Sequence, residues 1–147
     1  MTNTIYISNS EEETENIASK IAKKIPFGNC IGLRGNLGSG KTVFARGFAR
    51  GLDIDDIVSS PTFTLIKEYY AGNNQWLYHL DLYRITNVES ALAFGIDEYL
   101  SDSNAIILIE WPERILELFA SDAIFIDIER TGQNTRKISV SKKFSCC

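Results

Sequence analysis

The chain has 147 residues, of which 44% are hydrophobic and 23% are charged, proportions that are ordinary for a globular protein and unlike those of a disordered segment. Its formal net charge of −4 and its pI near 5.0 argue against a protein that depends on broad electrostatic contact with nucleic acid. The length predicts a single domain, residues 1–142, followed by a short tail, residues 143–147.

The N-terminal segment has no apolar run flanked by positive charge, and no window of the sequence reaches membrane-spanning length. The three cysteines, Cys30, Cys146 and Cys147, form an odd set without metal-ligand spacing, which fits a reducing compartment. We therefore expect a cytoplasmic protein that makes no membrane contact. The lone histidine, His79, is expected to be packed or hydrogen-bonded rather than to act as a general base.

The first elements in chain order are a strand and a helix. Residues 4–8 alternate in polarity as a short strand, and Ser10 follows as a predicted N-cap. The acidic residues 11–13 then place negative charge in the first helical turn, where it suits the helix dipole. Pro26 and Gly28 are predicted to end this helix.

A strand, a glycine-rich loop and a helix follow in the order that phosphate binding requires. Residues 30–33 form an apolar strand, GNLGSGKT matches G-x-x-x-x-G-K-[ST] at every fixed position, and KTVFARGFARGL has helical periodicity. A chance lysine beside a glycine-rich turn is the alternative, which this context disfavours. The predicted phosphate-binding set is Gly35, Asn36, Leu37, Gly38, Ser39, Gly40, Lys41, Thr42 and Val43.

The residue types of this loop point to a polyphosphate ligand. Gly35, Gly38 and Gly40 allow backbone angles that turn successive N–H groups toward an anion. Lys41 adds a mobile charge for the outer phosphates, and Thr42 offers a hydroxyl to Mg²⁺.

The remaining elements predict a mixed sheet. Residues 63–70 and 75–84 form a predicted hairpin around a turn at residues 71–74, and residues 87–100 form a helix interrupted near Gly95. A dense apolar strand, a helix beginning at a proline and two further strands complete the chain, at residues 105–111, 112–119, 123–130 and 136–142. The fold class is therefore α/β, a three-layer sandwich like that of P-loop NTPases, with a mixed central sheet and an antiparallel hairpin insertion.

Two carboxylates at predicted strand ends are candidates for hydrolysis. Glu110 ends the apolar run Ile106–Ile109, and a buried acid there needs a positive partner such as Mg²⁺. Asp81 shares one face of its strand with His79, so it could orient the attacking water or hold a metal-bound water. The alternative for Asp81 is an ion pair at the strand end, for instance with Arg84.

The hydroxyl-rich turn SSPTF, residues 59–63, is the candidate for a nucleotide-sensing switch. Its Thr62 could approach the γ-phosphate or the metal, although an ordinary turn with capping hydroxyls explains the residues equally well. Neither N-K-x-D nor D-x-x-G, the usual guanine-associated motifs, occurs in the sequence, so adenine is the preferred base.

Taken together, GNLGSGKT, VSSPTFTLIKEYY, HLDLYR, FGIDEYL and LIEWPER resemble, in order and spacing, the bacterial TsaE (YjeE-type) ATPases. The resemblance covers the chain from about Ile5 to beyond Arg136. It implies an ATPase that supports the TsaD–TsaB complex in forming N6-threonylcarbamoyladenosine at position 37 of tRNAs reading codons that start with A. In that family the ATPase resets the complex between turnovers, so tRNA contact is expected to be indirect or weak.

The resemblance also assigns roles to residues. It implies that the loop holds ATP, that Thr42 and Glu110 hold Mg²⁺, and that Asp81 assists hydrolysis. Thr62 would be the switch residue, and Ser10 would lie near the adenine. The catalytic set is thus Lys41, Asp81, Glu110 and Thr62. The chain departs from the family at Asn36, where an acid is usual, and at Ser39, where alanine is common.

Two other classes of function remain open at this point. A small-molecule kinase would form a phosphorylated product that depends on an acceptor substrate. A non-hydrolysing nucleotide-sensing module would bind ATP and keep its partner function after Asp81→Ala removed hydrolysis. The ATPase reading predicts slow turnover by the chain alone, because no arginine finger is evident in the sequence.

Overall fold

The computed structural model describes residues 3–36, 38–56, 58 and 65–142. Seven strands form one sheet in the order β1-β7-β6-β2-β5-β4-β3. In chain order the strands are β1 (Thr4–Ser8), β2 (Cys30–Arg34), β3 (Ile66–Gly72), β4 (Gln75–Asp81), β5 (Ala105–Glu110), β6 (Ile124–Arg130) and β7 (Arg136–Lys142). The helices are α1 (Glu11–Lys24), α2 (Lys41–Gly51), α3 (Val88–Ala93), α4 (Ile96–Leu100) and a 3₁₀ helix (Pro112–Leu118).

The sheet is mixed, as the sequence predicts. Strand β2 pairs in parallel with both β5 and β6, and β4 pairs in parallel with β5. The flanking pairs β1–β7, β6–β7 and β3–β4 are antiparallel. Because parallel strands end at the same edge of a sheet, the carboxyl ends of β2, β4 and β5 meet there, next to the N-terminus of α2.

Two hydrophobic cores cover the two faces of the sheet and give the molecule three layers. Helices α1 and α2 cover one face, over buried side chains such as Ile31, Leu33 and Leu108. The helices α3 and α4 and the 3₁₀ helix cover the opposite face, over Leu80 and Ile109. All six residues of β5 are buried, and the first five are apolar, as expected of a strand covered on both faces.

Local signals in the sequence account for most element boundaries. Ser10 caps α1 by accepting a hydrogen bond from the Glu13 N–H, as predicted. The β3–β4 hairpin turns through Asn73 and Asn74, both with positive φ, and asparagine tolerates that conformation better than most residues. Gly95, also left-handed, separates α3 from α4 at the interruption that the sequence predicts.

Several predicted bounds and one predicted helix type differ from the structure. Strand β3 continues to Gly72 rather than ending at residue 70. Strand β4 ends at Asp81 rather than at residue 84, because Asp81 Oδ1 accepts a hydrogen bond from the Tyr83 N–H and a turn follows at Leu82. The segment after Pro112 is 3₁₀ rather than α-helical, with a break at Ile115, where φ is −139°. The predicted strand start at residue 63 and the tail, residues 143–147, lie outside the described residues.

Within the described ranges, the helices are too short or too polar to cross a membrane.

Close packing of α1 against α2 depends on Gly47. A Cβ added there would overlap backbone atoms of Glu15 in α1. Backbone cannot move aside as a flexible side chain can, so Gly47→Ala has to push the two helices apart.

We expect Gly47→Ala to lower the free energy of unfolding by about 1–3 kcal/mol, although alanine has the higher helix propensity. Urea unfolding at neutral pH measures the change. Lys20→Ala, on an exposed position of α1, is the control and should stay within about 0.5 kcal/mol of the wild type. A Gly47→Ala chain as stable as the wild type would contradict the close helix contact.

Candidate functional site

The glycine-rich loop joins β2 to α2, and its glycines are required by geometry. Gly38 and Gly40 are left-handed, with φ of 80° and 105°, and Gly40 is the N-cap of α2. A Cβ on Gly35 would lie 2.5 Å from Ser39 Oγ and 2.9 Å from the Ile128 carbonyl oxygen. The backbone can therefore make this bend only with glycine at these positions.

Lys41, the first residue of α2, is held inside the loop. Its side chain is buried, with 8% of the residue exposed, and its Nζ donates a 2.7 Å hydrogen bond to the Gly35 carbonyl. The same Nζ lies 4.4 Å from the centroid of the Trp111 ring, within cation–π range. These two contacts thus fix the position of the ammonium group at the loop.

Trp111 adopts a backbone conformation that is rare for a bulky residue. Its φ is 61° and its ψ is 50°, immediately after the end of β5. Its ring packs against Tyr83 at a centroid distance of 5.0 Å and lies 5.9 Å from the Arg114 guanidinium. This left-handed turn directs the indole over Lys41, and such strain is often found at functional sites.

Glu110 and Asp81 stand side by side at the ends of β5 and β4, where they are register partners. Only 3% of Glu110 is exposed. Its Oε2 lies 2.7 Å from Nε2 of His79, at hydrogen-bond distance, and His79 is fully buried. His79 is therefore hydrogen-bonded, as expected, and its partner is the candidate metal-side acid.

Burial raises the pKa of Asp81 above its ordinary value of 3.8. The hydrogen bond from the Tyr83 N–H lowers the pKa, the nearby Glu110 carboxylate raises it, and the Lys41 ammonium lowers it, in decreasing order of effect. A carboxyl group whose ionisation is disfavoured in a cavity is typical of groups that exchange protons with a substrate.

A cavity of about 1100 Å³ lies over the loop and the two carboxylates. That volume suits a nucleotide-sized ligand. Among the predicted site residues, Ser10, Gly38, Gly40, Lys41, Thr42, Val43, Asp81 and Glu110 line it. The cavity thus brings together predicted site residues that lie up to 100 positions apart in the sequence.

The remaining predicted site residues either do not line the cavity or lie outside the described residues. Gly35, Asn36 and Ser39 belong to the loop but are not among the residues that line the cavity. Asn36 is exposed and accepts a hydrogen bond from the Ser39 N–H through its carbonyl. Leu37 and Thr62, with the rest of the SSPTF turn, lie outside the described residues.

Arg136 is a site residue that sequence reasoning missed. It begins β7 and lines the cavity, and its Nε donates a 2.7 Å hydrogen bond to the Ser39 carbonyl. The bond ties the glycine-rich loop to β7, and the two bonded residues are 97 positions apart in the sequence. No local motif signals such a contact, because it depends on the order of strands in the sheet.

The donor set fits Mg²⁺. The Thr42 hydroxyl and the Glu110 carboxylate both line the cavity and supply oxygen, the ligand atom that Mg²⁺ prefers. Among the described residues, no group of three or more His, Cys, Asp or Glu side chains could hold a metal alone.

These features define the class of protein. A sheet with a parallel centre, a glycine-rich loop that enters a helix, a buried lysine and carboxylates at strand ends are the features of a P-loop NTPase-like α/β fold.

Comparison with known proteins identifies the family. The family model described as "Threonylcarbamoyl adenosine biosynthesis protein TsaE" matches residues 8–138. The tRNA threonylcarbamoyladenosine biosynthesis protein TsaE of Bacillus subtilis is 43% identical over 128 residues, covering 87% of this chain and 78% of the relative. The TsaE protein of Aquifex aeolicus is 35% identical over 139 residues, covering 93% and 95%.

A solved structure agrees with this result. The crystal structure of Bacillus subtilis YdiB superposes with a TM-score of 0.80 at 36% identity, covering 96% of this chain and 86% of that one. The chain belongs to the TsaE family, which takes part in tRNA threonylcarbamoyladenosine biosynthesis. The resemblance drawn from the motifs is therefore confirmed, as is the fold class.

The raised pKa of Asp81 predicts that its ionised carboxylate lowers the free energy of unfolding at neutral pH. Because its pKa in the folded chain is raised, the contribution of Asp81 to stability is present below the ordinary pKa of 3.8 and is lost as the pH rises through the folded value. We expect Asp81→Asn to raise the free energy of unfolding at pH 7, and the gain to shrink as the pH falls toward 4.

Urea unfolding at several pH values measures this effect. Asp122→Asn, at an exposed acid, is the control and should change stability little at any of them. An Asp81→Asn chain less stable than the wild type at pH 7 would show that the carboxylate stabilises the fold.

Proposed function

We propose that this protein is a Mg²⁺-dependent ATPase that supports a TsaD–TsaB complex in forming N6-threonylcarbamoyladenosine at position 37 of tRNAs reading codons that start with A. The observation that carries the proposal is the convergence of Lys41, Glu110 and Asp81 on one cavity above the phosphate loop. Membership of the TsaE family connects this site with tRNA modification.

The phosphates would bind at the loop. Backbone N–H groups of the loop and the N-terminus of α2 favour negative charge there. Lys41 would exchange its Gly35 carbonyl partner for an outer phosphate oxygen, because a charged acceptor forms the stronger hydrogen bond. Thr42 and Glu110 would hold the metal, directly or through water. When bound, Mg²⁺ would neutralise charge that develops on the phosphates.

Glu110 and Asp81 would have different roles in hydrolysis. Glu110 is deeply buried and bonded to His79, so its carboxylate has a fixed position suited to metal binding. Asp81 is half-buried and its pKa is raised, so it is suited to orient the attacking water and accept its proton. Ser10 lines the cavity, which supports its proposed place near the adenine.

An open cavity edge supports dependence on a partner. Tyr83 and Phe94 line the cavity, yet 49% and 61% of these residues are exposed. Hydrolysis benefits from exclusion of bulk water, and a protein that covers this edge would provide it. Slow hydrolysis by the isolated chain and faster hydrolysis with TsaD and TsaB follow from this arrangement.

ATP hydrolysis by the purified chain, alone and with TsaD and TsaB, tests the proposal. We expect low turnover alone, a rise with the partners, and a loss of about 100-fold in Glu110→Gln, since the carboxylate would hold the Mg²⁺ that neutralises charge on the reacting phosphates. Glu113→Gln is the matched control, because it makes the same change at an exposed acid three residues away and should leave the rate unchanged.

Two results would contradict the proposal. ATP turnover that is unchanged by the partners and by Glu110→Gln would show that hydrolysis does not depend on this site or on the complex. A phosphorylated product that forms only when an acceptor metabolite is added would identify a small-molecule kinase instead.

A further inference from the structure

The buried hydrogen bond between His79 and Glu110 has features that stability alone does not explain. The two residues lie on neighbouring strands, β4 and β5, and their side chains are 1% and 4% exposed. Burying polar side chains costs free energy that their hydrogen bonds only partly offset, and replacing both partners with apolar groups of the same shape can be nearly neutral. In addition, His79 Nδ1 is buried and has no hydrogen-bond partner among the described residues.

The bond constrains the Glu110 carboxylate. An ionised carboxylate only accepts hydrogen bonds, so with Glu110 in that form the proton of this bond belongs to His79 Nε2. That N–H occupies Oε2 at 2.7 Å, whereas Oε1 receives no hydrogen bond from the described part of the chain. Glu110 also lines the cavity. Oε2 is thus held by His79, and Oε1 remains available to a ligand in the cavity.

We infer that His79 is a positioning residue for Glu110, which holds one oxygen of the carboxylate so that the other binds the metal or its water in a single orientation. The inference rests on the proposed function and adds a role for the one histidine of the chain. Side chains that orient a ligating group in this way typically change metal affinity or activity by 10–100-fold when removed.

Two substitutions of similar size separate positioning from packing. His79→Gln keeps an N–H donor at about the reach of Nε2, whereas His79→Leu fills the space without a donor. With ATP, Mg²⁺ and the TsaD–TsaB partners present, we expect His79→Leu to lower kcat about 10–100-fold and to raise the Mg²⁺ concentration needed for half-maximal rate. The KM for ATP should stay near the wild-type value, and His79→Gln should recover most of kcat.

Three outcomes would overturn the inference. The first is wild-type kcat in His79→Leu, and the second is equal loss of kcat in both variants, which would indicate packing alone. The third concerns the hydrogen bond itself and needs no catalytic activity. Because His79 is the sole histidine, its ¹⁵N imidazole resonances can be assigned directly in the wild-type chain.

The NMR measurement should find the proton on Nε2, slow to exchange with water, with both nitrogen resonances shifted by Glu110→Gln. A proton on Nδ1 alone, or resonances unchanged by Glu110→Gln, would overturn the inference even if His79→Leu failed to fold.

A separate result distinguishes failure of the proposed function from failure of the inference about His79. If the wild type hydrolyses no ATP with its partners, the proposed function fails, and Mg²⁺ binding to the ADP complex decides the inference. His79→Leu must then weaken Mg²⁺ binding and His79→Gln must restore it. Equal Mg²⁺ affinity in all three chains would overturn the inference.

Discussion

The site depends on the contacts that hold the buried ammonium group of Lys41. A charge at a residue only 8% exposed requires compensation, and the Gly35 carbonyl and the face of Trp111 supply it on two sides. The glycine bend of the loop brings the carbonyl into reach, and the left-handed turn at Trp111 brings the indole over the charge. The shape of the loop and the end of β5 are therefore coupled through one side chain.

Strand pairing organises the acidic side of the cavity. Parallel pairing of β4 with β5 places Asp81 and Glu110 at one edge of the sheet, close enough that the Glu110 charge contributes to raising the pKa of Asp81. His79 meets the buried Glu110 from the same side of the sheet. Two carboxylates with different surroundings, one fixed by a hydrogen bond and one half-exposed with a raised pKa, are suited to different tasks.

The sequence was informative where periodicity and local chemistry decide the structure. Alternation along β4 predicted that His79 and Asp81 share one face of their strand. The residues that alternate with them, Tyr78 and Leu80, are buried in the core on the other face of the sheet. The Ser10 cap and the interruption at Gly95 followed from residue preferences that act within one turn of chain.

Contacts between distant segments could not be predicted in this way. The bond from Arg136 to the Ser39 carbonyl requires that β7 lie near the loop, and strand order is not encoded in any short pattern. The left-handed Trp111 breaks the usual preference of bulky residues, so propensity argues against it. The pairing of His79 with Glu110 likewise depends on the register between β4 and β5. These three features belong to the site, where functional demands override local preference.

Calorimetric titration of the purified chain with ATP in the presence of Mg²⁺ tests whether the site around Lys41 binds the nucleotide, with Lys41→Met as a variant of similar length that lacks the charge. We expect saturable binding of ATP by the wild type, weaker binding of GTP, and a loss of affinity of about 10-fold or more in Lys41→Met, as expected for a charged hydrogen bond. A wild-type chain that binds no ATP, or a Lys41→Met chain that binds it equally well, would show that this site is not an ATP site organised by Lys41.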